Sequence, residues 1–260
     1  MLDKVQQVGR QAALAAGQLL RQSFSRPKRI SYKGVIDPVT ESDLKSQDLI
    51  VGMILDNFPD HQILAEEQVG PKTSATRDGS WWIIDPLDGT VNFAHGFPMF
   101  AVSIAFEQEG IIQYGVVYDP LREELFEARA GQGAWLGGQP IRVSEIGDLD
   151  KALLATGFPY DVRQRLDKTL GRFGRLLARA QGVRRAGSAA LDLCYLAAGR
   201  FDGFWEENLK PWDTAAAALV VAEAGGQLST FSGDRFQITS ANVVASNGLL
   251  HSQILKELQP

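Results

Sequence analysis

The hexapeptide at 85–90, with the sequence DPLDGT, combines residue types that can bind a cation and an anion side by side. It follows the apolar run 81–84, which predicts a buried strand that Pro86 would end. Asp85 and Asp88 would then lie three residues apart on a rigid turn, where two carboxylates repel each other unless one is protonated or a cation lies between them. Oxygen ligands of this kind suit Mg²⁺, which takes one or two carboxylates together with waters and phosphate oxygens.

The end of the same hexapeptide suits a phosphate group. Gly89 permits a tight or left-handed backbone, and the N–H groups of Gly89 and Thr90 would face an anion if a helix begins there. A metal site beside a phosphate cradle indicates metal-assisted phosphoryl chemistry. Because Asp, Pro and Gly are also the usual residues of surface turns, an acidic turn without function is the alternative.

Three further acids could converge on this turn. Glu66 ends a short predicted strand 19 residues before Asp85 and could return beside it, adding an oxygen to the same metal. Asp213 and Asp43 each begin a predicted helix, where a carboxylate also serves as an ordinary cap, so capping is the alternative for both. The Thr90 hydroxyl could pass a proton from a water to a nearby carboxylate such as Asp43.

The composition restricts the class of protein. The chain has 260 residues, 45% hydrophobic and 22% charged, which allows one large or two small globular domains. A net charge of −5 argues against a nucleic-acid-binding surface as the main function. The single cysteine, Cys194, fits a reducing compartment and is predicted to be a buried thiol. Without a secretory leader or an apolar run of membrane-span length, the expected location is the cytoplasm.

Hydrophobic spacing predicts the elements that position these residues. In the first half it predicts helices over 2–24 and about 43–57, the second capped by Ser42, with a loop or hairpin at 30–41 between them. Strand-like runs at 100–106, 111–118 and 124–128 predict an antiparallel meander. In the second half it predicts helices over 162–180, 188–198, 211–224 and 249–258, with strands at 153–156, 201–205, 228–230 and 243–245. The expected division is an N-terminal α+β half at 1–147 with most metal ligands, and a C-terminal α/β half at 148–260 with Asp213 and substrate contacts.

These segments together resemble the inositol monophosphatase family. The segment 82–93, WIIDPLDGTVNF, resembles its first signature, and WDTAA at 212–216 with EAGG at 223–226 resembles its second. The acid pair Glu66-Glu67 and the run from Asp37 to Asp43 fall in the family's order and spacing, and the resemblance covers nearly the whole chain. The segment GSAALD at 187–192 is most similar to bacterial-type inositol-1-monophosphatases.

The resemblance implies an α/β fold, a layered αβαβα sandwich of the sugar-phosphatase type, with the site between two halves. It also implies two or three Mg²⁺ ions per site. The first ion would be held by Glu66, Asp85 and the carbonyl of Leu87, the second by Asp85, Asp88 and Asp213, and a third, weaker ion would lie near Glu66. The implied catalytic residues are Asp43, Thr90 and Glu66. The implied phosphate and polyol contacts are Asp88, Gly89, Thr90, the backbone of Ala189, Glu206 and Asp213, and Lys33 with its loop would cover the site.

The implied activity is hydrolysis of a small phosphate monoester, myo-inositol 1-phosphate first, by in-line attack of a metal-activated water in a Li⁺-sensitive homodimer. Glu206 favours a hydroxyl-rich substrate, because a carboxylate accepts hydroxyl bonds and repels a second phosphate. The alternatives are the same chemistry on fructose 1,6-bisphosphate, 3′-phosphoadenosine 5′-phosphate or histidinol phosphate. A rival of another class is a regulatory protein that binds a protein or RNA through residues 26–33 or the helix at 162–180.

Overall fold

The computed structural model describes residues 1–26, 30–32, 38–67 and 78–259. The α-helices are α1 (Leu2–Phe24), α2 (Glu41–Asn57), α3 (Thr90–His95), α4 (Leu166–Leu177), α5 (Ala189–Ala197), α6 (Pro211–Glu223) and α7 (His251–Leu258). The strands are β1 (Ile30–Tyr32), β2 (Pro38–Thr40), β3 (Gln62–Ala65), β4 (Ser80–Asp88), β5 (Ala101–Gln108), β6 (Ile111–Asp119), β7 (Glu124–Arg129), β8 (Gly133–Leu136), β9 (Gln139–Pro140), β10 (Leu153–Thr156), β11 (Gly182–Arg184), β12 (Gly203–Glu207), β13 (Gln227–Ser229) and β14 (Asn242–Ser246).

Helices and sheets alternate in five layers. α1 and α2 pack on one face of a seven-stranded sheet, and α5 and α6 fill the space between that sheet and a five-stranded sheet. α4 and α7 cover the outer face of the five-stranded sheet. This αβαβα order confirms the predicted fold class.

The strands that carry the candidate residues are neighbours in the larger sheet. Its order is β3-β4-β5-β6-β7-β8-β9, with β3 and β4 parallel and all later neighbours antiparallel, so the predicted meander is its centre. The smaller sheet has the order β11-β10-β12-β14-β13, in which β10 runs parallel to both of its neighbours. β14 runs antiparallel to β12 and β13.

Alternating side chains along the strands divide the apolar core among the layers. In β4, Trp82 and Ile84 face α1 and α2, whereas Ile83 packs in the core shared with α5 and α6. In β12, Phe204 belongs to the core between the sheets and Trp205 to the core under α4 and α7. Because successive residues of a strand point to opposite faces, a strand covered on both faces is apolar at every position.

The second helix begins two residues earlier than the sequence predicts, and its cap is Thr40 rather than Ser42. The Thr40 hydroxyl accepts a hydrogen bond from the Ser42 amide at 3.2 Å, while the Asp43 carboxylate accepts one from the Thr40 amide at 2.9 Å. Thr40 takes this role because its backbone is extended, with φ of −108°. This reciprocal capping box uses Asp43 as the acid, as the capping alternative predicted.

Pro86 does not end β4 as predicted. The strand continues to Asp88 across an irregularity between Asp85 and Asp88, where the register to β5 shifts. A bulge leaves one residue without a ladder hydrogen bond, so it can accommodate a proline, which has no N–H to donate. The Pro86 carbonyl is satisfied from the other side by the Ser46 hydroxyl at 2.8 Å.

Helices from the C-terminal half pack against both sheets. The last strand of the larger sheet ends at Pro140 and the first strand of the smaller sheet begins at Leu153, with α5 and α6 between the two sheets. The division at 147/148 stays a prediction. The helix predicted over 162–180 is shorter than expected, because a 3-10 turn at Val162–Gln164 precedes α4.

Candidate active site

Parallel pairing of β3 with β4 brings the first two acids together. The register places Ala65 opposite Ile84, and the Glu66 amide donates to the Ile84 carbonyl at 3.2 Å. Glu66 therefore follows directly beside Asp85, as the strand–loop–strand length suggested. The Asp85 carboxylate is buried and accepts a hydrogen bond from the Leu87 amide at 3.0 Å.

Asp88 ends β4 and reaches across to the other half of the chain. Its Oδ2 atom accepts hydrogen bonds from the Ser188 hydroxyl and from the Ala190 amide at 2.9 Å, both at the N-terminus of α5. Burial raises the pKa of Asp88 to about 6, against the opposing effect of the hydrogen bonds from Ser188 and the α5 amides. This contact fixes a site residue of the first half to a helix of the second.

Asp213 approaches from the first turn of α6. Its Oδ2 atom accepts from the Lys210 amide at 2.6 Å, so it also caps the helix, as the alternative reading allowed. Burial raises the pKa of Asp213 well above its usual range, the Lys210 hydrogen bond opposes this, and the charges of Asp88 and Glu66 add to the rise. Burial followed by the charges of Glu66, Asp88 and Asp213 likewise raises the pKa of Asp85.

A cavity of about 280 Å³ joins these acids to the second half of the chain. The lining residues from the first half are Glu66, Asp85, Leu87, Asp88, Gly89, Thr90 and Val91, and those from the second are Phe158, Pro159, Tyr160, Arg185, Gly187, Glu207, Asn208, Leu209, Lys210, Trp212 and Asp213. A larger cavity of about 690 Å³ lies between the β5–β6 hairpin and α6 and contains none of the predicted site residues.

The donor set of the smaller cavity fits a hard divalent cation. In the described part of the chain, none of Asp85, Asp88 and Asp213 forms an ion pair with a lysine or arginine, and their mutual repulsion is relieved when a cation lies between them. All of the donors are oxygen atoms, the ligand type of Mg²⁺. Within the same described residues, no group of three or more histidine, cysteine, aspartate or glutamate side chains is already placed to hold a metal ion.

A hydroxyl–carboxylate pair lies beside the acids. The Thr90 hydroxyl is 3.0 Å from Oδ1 of Asp43 and 3.0 Å from the Leu87 carbonyl, and has one proton to donate. Asp43 is 1% exposed. Burial raises its pKa, while the hydrogen bonds from Thr40 and Thr90 lower it. The pair therefore joins α2 to the turn at Gly89 and Thr90.

Gly89 adopts the left-handed conformation that its sequence position suggested, with φ of 92°, and α3 begins at the next residue. A Cβ atom at Gly89 would lie 2.9 Å from the Met99 carbonyl oxygen and 3.3 Å from that of Gly187. The turn thus leaves no room for a side chain, and its backbone lies close to the loop that leads into α5.

Asn92, Ser188 and Arg185 belong to the site region although the sequence reasoning gave them no role there. Asn92 Nδ2 lies 2.8 Å from the carbonyls of Met99 and Ala186, so it ties α3 to the loop before α5. Asn92 and Ser188 could have been found from the sequence, because they lie inside the segments 82–93 and 187–192 that carry the family resemblance. Arg185 lines the cavity and lies outside both of those segments.

Other expected contacts are not in the cavity wall. Ala189 begins α5 directly after the Ser188 cap and is not among the lining residues. The Glu206 carboxyl lies in a smaller neighbouring pocket against Gly157, where a Cβ atom on that glycine would be 2.1 Å from Glu206 Oε2. Lys33 and Asp37 lie outside the described residues. Cys194 is buried as predicted, and burial raises the pKa of its thiol.

Comparison with known proteins agrees with this geometry. A family model described as the inositol monophosphatase family matches residues 1–260. This chain belongs to the inositol monophosphatase family. Membership confirms the resemblance seen in the sequence and makes the chain a phosphoric monoester hydrolase.

Relatives of the family match over almost their full length. The Nus factor SuhB of Pseudomonas aeruginosa is 44% identical, with 96% of this chain and 93% of the relative covered. The inositol-1-monophosphatase of a Synechocystis species is 42% identical, with 97% of this chain and 88% of the relative covered.

Solved structures of the family share the fold. The suhB protein of Bartonella henselae superposes with a TM-score of 0.92 at 38% identity, covering 98% of each chain. The inositol monophosphatase of an Anabaena species gives a TM-score of 0.88 at 40% identity, covering 99% of this chain and 96% of that one.

Proposed function

We propose that this chain hydrolyses a small polyol phosphate monoester, myo-inositol 1-phosphate first, with two or three bound Mg²⁺ ions. The observation that carries the proposal is the gathering of Glu66, Asp85, Asp88 and Asp213 around one cavity, from three separate parts of the chain. These carboxylates repel one another when they are charged, and a divalent cation between them would stabilise the site.

The proposed ligands follow the arrangement of these acids. Glu66, Asp85 and the Leu87 carbonyl would hold one ion, Asp85, Asp88 and Asp213 the second, and a weaker third ion would lie near Glu66. Bound Mg²⁺ would lower the pKa of a water, neutralise phosphate charge and stabilise the leaving alkoxide. The alternatives are the same hydrolysis of fructose 1,6-bisphosphate, 3′-phosphoadenosine 5′-phosphate or histidinol phosphate.

The proton path of the proposed reaction uses Thr90 and Asp43. When the Thr90 hydroxyl donates to Asp43 Oδ1, its oxygen lone pairs are free to accept a proton from an attacking water. Asp43 is then the final acceptor, and its buried carboxylate is held in place by Thr40. The amides of Gly89 and Thr90 would orient the phosphate for in-line displacement, with Ala189 and Glu206 on the polyol side.

Phosphate release from a panel of monoesters, with and without Mg²⁺, tests this function. The panel holds myo-inositol 1-phosphate, fructose 1,6-bisphosphate, 3′-phosphoadenosine 5′-phosphate and histidinol phosphate. Asp88→Asn is expected to abolish release with the fold retained, whereas the same change at exposed Asp167 leaves it intact. Thr90→Ala is expected to lower kcat by about 10²–10⁴-fold, the usual contribution of a positioned proton acceptor. Absence of Mg²⁺-dependent release from every substrate contradicts the proposal.

A second role in binding a macromolecular partner is favoured by one observation, the name Nus factor SuhB carried by relatives at 44% identity. Two arginines of α4 are engaged within the chain. Arg172 and Arg175 donate to the carbonyls of Leu258 and Glu257, at 3.1 and 2.7 Å, so these charges cap the C-terminal helix. Of segment 26–33, residues 27–29 and 33 lie outside the described part. Partner affinity that is unchanged by Asp88→Asn would separate this role from catalysis.

The assembly, ion inhibition and location of the chain complete the proposal. We expect a homodimer, supported by exposed apolar side chains on α4 at Leu166, Leu170 and Leu177, and sedimentation of the purified chain tests it. Li⁺ is expected to inhibit phosphate release by replacing a Mg²⁺. A cytoplasmic location is supported by the single buried thiol. Among the described residues, no helix is long and apolar enough to cross a membrane.

A further inference from the structure

The connection between β10 and α4 forms one side of the candidate active-site cavity. β10 ends at Thr156, and residues 158–160, the wall segment, then line the cavity. The turn after β12 lines the same cavity through residues 208–210. Since the proposed phosphate site lies at the Gly89 turn of the first half, the wall segment borders the part of the cavity that remains for the alcohol half of a monoester.

The beginning of the wall segment is attached to the smaller sheet and to α4. The Thr156 hydroxyl donates to the Trp205 carbonyl at 2.7 Å, across the parallel pair of β10 and β12. The ring of Phe158 packs edge-on against that of Phe173 in α4, with the ring centroids 5.8 Å apart. These contacts hold the start of the segment and its first side chain, and they leave its far end to a separate contact.

The far end of the wall segment is held by a side-chain contact between distant parts of the chain. Nδ2 of Asn208 donates to the Asp161 carboxylate, at 3.2 Å from Oδ1 and 3.4 Å from Oδ2. Asp161 also pairs with Arg165 at 2.7 Å, which orients the carboxylate. Both partners of the contact are half-buried, and an ionised acceptor makes the hydrogen bond stronger than one between neutral groups. This contact, the Asp161–Asn208 latch, joins the wall segment to the turn after β12.

The backbone conformation at Asn208 does not by itself require an asparagine. Its φ of 64° is left-handed, a conformation that asparagine adopts more readily than most residues with a side chain. The backbone is held there by the Asn208 amide, which donates to the Ala241 carbonyl at 2.8 Å. A glycine would adopt the same backbone at lower steric cost. The side-chain amide of Asn208 supplies what a glycine lacks, because it is the donor of the latch.

We propose that Asp161 and Asn208 are positioning residues for the alcohol half of the substrate. By holding the wall segment across the cavity, the latch sets the space in which a polyol ring binds, and it acts through the wall rather than on the reacting phosphate. The inference rests on the proposed hydrolase function and names residues that determine its substrate specificity. Loss of the latch therefore weakens binding of a polyol phosphate more than binding of inorganic phosphate, which has no alcohol half.

The kinetic test removes, reverses and restores the latch. Asn208→Gly deletes the donor and relaxes the backbone, Asn208→Asp places a second carboxylate against Asp161, and the double variant Asp161→Asn with Asn208→Asp exchanges donor and acceptor. Asn208→Gly is expected to raise KM for myo-inositol 1-phosphate by about threefold to tenfold, with kcat within about twofold and the inhibition constant of inorganic phosphate unchanged. Asn208→Asp should raise KM further, and the double variant should recover most of the loss. The control is Glu123→Gly, at an exposed left-handed position between β6 and β7 with φ of 57°, which should leave KM unchanged.

Amide hydrogen exchange supplies a readout that needs no turnover. In Asn208→Gly the amides of Val162 and Gln164, which are bonded in the 3-10 turn after the wall segment, should exchange faster, and the double variant should slow them again. Unchanged exchange, or a double variant that behaves like Asn208→Asp, overturns the latch. Faster exchange with an unchanged KM, or a fall in kcat alone, overturns its role in substrate binding.

A binding measurement separates failure of the inference from failure of the function. If the wild type releases phosphate and KM is the same in Asn208→Gly, the inference fails and the hydrolase function stands. If the wild type releases no phosphate from any monoester, the proposed function fails, and calorimetric affinity for myo-inositol 1-phosphate with Mg²⁺ then decides the inference. A weaker affinity in Asn208→Gly than in the wild type supports the latch as a positioning contact, and equal affinities overturn it.

Discussion

The left-handed Gly89 turn offers a direct test of how the proposed phosphate site is built. Replacing Gly89 by alanine puts a Cβ atom on a backbone with φ of 92°, 2.9 Å from the Met99 carbonyl oxygen. Gly96, at the other end of α3, is also left-handed, with φ of 72°, but a Cβ atom there has no neighbour within 4 Å. The two glycines therefore share the conformational cost and differ in the steric one.

The expected magnitudes follow from these contacts. The left-handed conformation costs an alanine about 1–2 kcal/mol, and this is the whole expected cost of Gly96→Ala. At Gly89 the clashing atoms are backbone carbonyls of Met99 and Gly187, which cannot turn away as a side chain would. Overpacking of this kind adds about 1–3 kcal/mol, so Gly89→Ala should cost about 2–5 kcal/mol in total.

Urea unfolding followed by circular dichroism measures the difference. With a slope of about 3 kcal/mol/M, the midpoint of Gly89→Ala should lie about 0.3–1 M below that of Gly96→Ala. Phosphate release should fall strongly in Gly89→Ala, because the amides of Gly89 and Thr90 are displaced, and should survive in Gly96→Ala. Equal midpoints for the two variants would refute the steric argument, and full activity of Gly89→Ala would refute the role of the turn.

Three smaller perturbations test the network around the acids and the alkaline limit of the fold. Thr40→Val removes a hydrogen bond that stabilises the charged form of Asp43, so the pKa of Asp43 should rise. The acidic limb of the pH profile of kcat/KM should therefore move to higher pH by about half to one unit. An acidic limb that does not move contradicts a role for Asp43 as proton acceptor. Ser188→Ala removes both a hydrogen-bond donor to Asp88 and the N-cap of α5. The free energy of unfolding should fall by about 1 kcal/mol, and the Mg²⁺ affinity measured by calorimetry should change. An unchanged affinity would show that Ser188 serves the fold alone. Burial raises the pKa of Tyr195 to about 12. Between pH 10 and 12 the unfolded chain therefore loses a proton that the folded chain keeps, so the free energy of unfolding falls as the pH rises. In urea titrations over this pH range, Tyr195→Phe should show a shallower fall than the wild type. The same pH dependence in both proteins would argue against Tyr195 as the group responsible.

Local patterns predicted most of the elements because their causes are local. The 3.6-residue spacing in α1 and the proline in the first turn of α6 are determined by neighbouring residues, and both helices lie where expected. The predicted ends of helices were less accurate where they depend on side-chain hydrogen bonds. The cap of α2 moved from Ser42 to Thr40, since the backbone conformation at Thr40 makes a reciprocal bond with Asp43 possible.

Short strands in the second half of the chain were also difficult to predict from local sequence. β11, at Gly182–Arg184, was missed because three residues carry too little periodicity to distinguish a strand from a loop. Its parallel pairing with β10 exists only in the assembled sheet. The continuation of β4 through Pro86 also required the neighbouring strand, since a bulge is a property of a pair of strands.

The sequence by itself determined the chemistry available to this protein: the DPLDGT turn, the acids at Glu66, Asp43 and Asp213, and the family to which they belong. Residue type and short-range spacing suffice for this, because they set which atoms can bind a cation or move a proton. Tertiary structure alone decided which acids meet, through the parallel register of β3 and β4 and the contact of Asp88 with the N-terminus of α5. It also decided that Arg185 faces the cavity while Glu206 turns against Gly157, because side-chain direction depends on packing between segments distant in the chain.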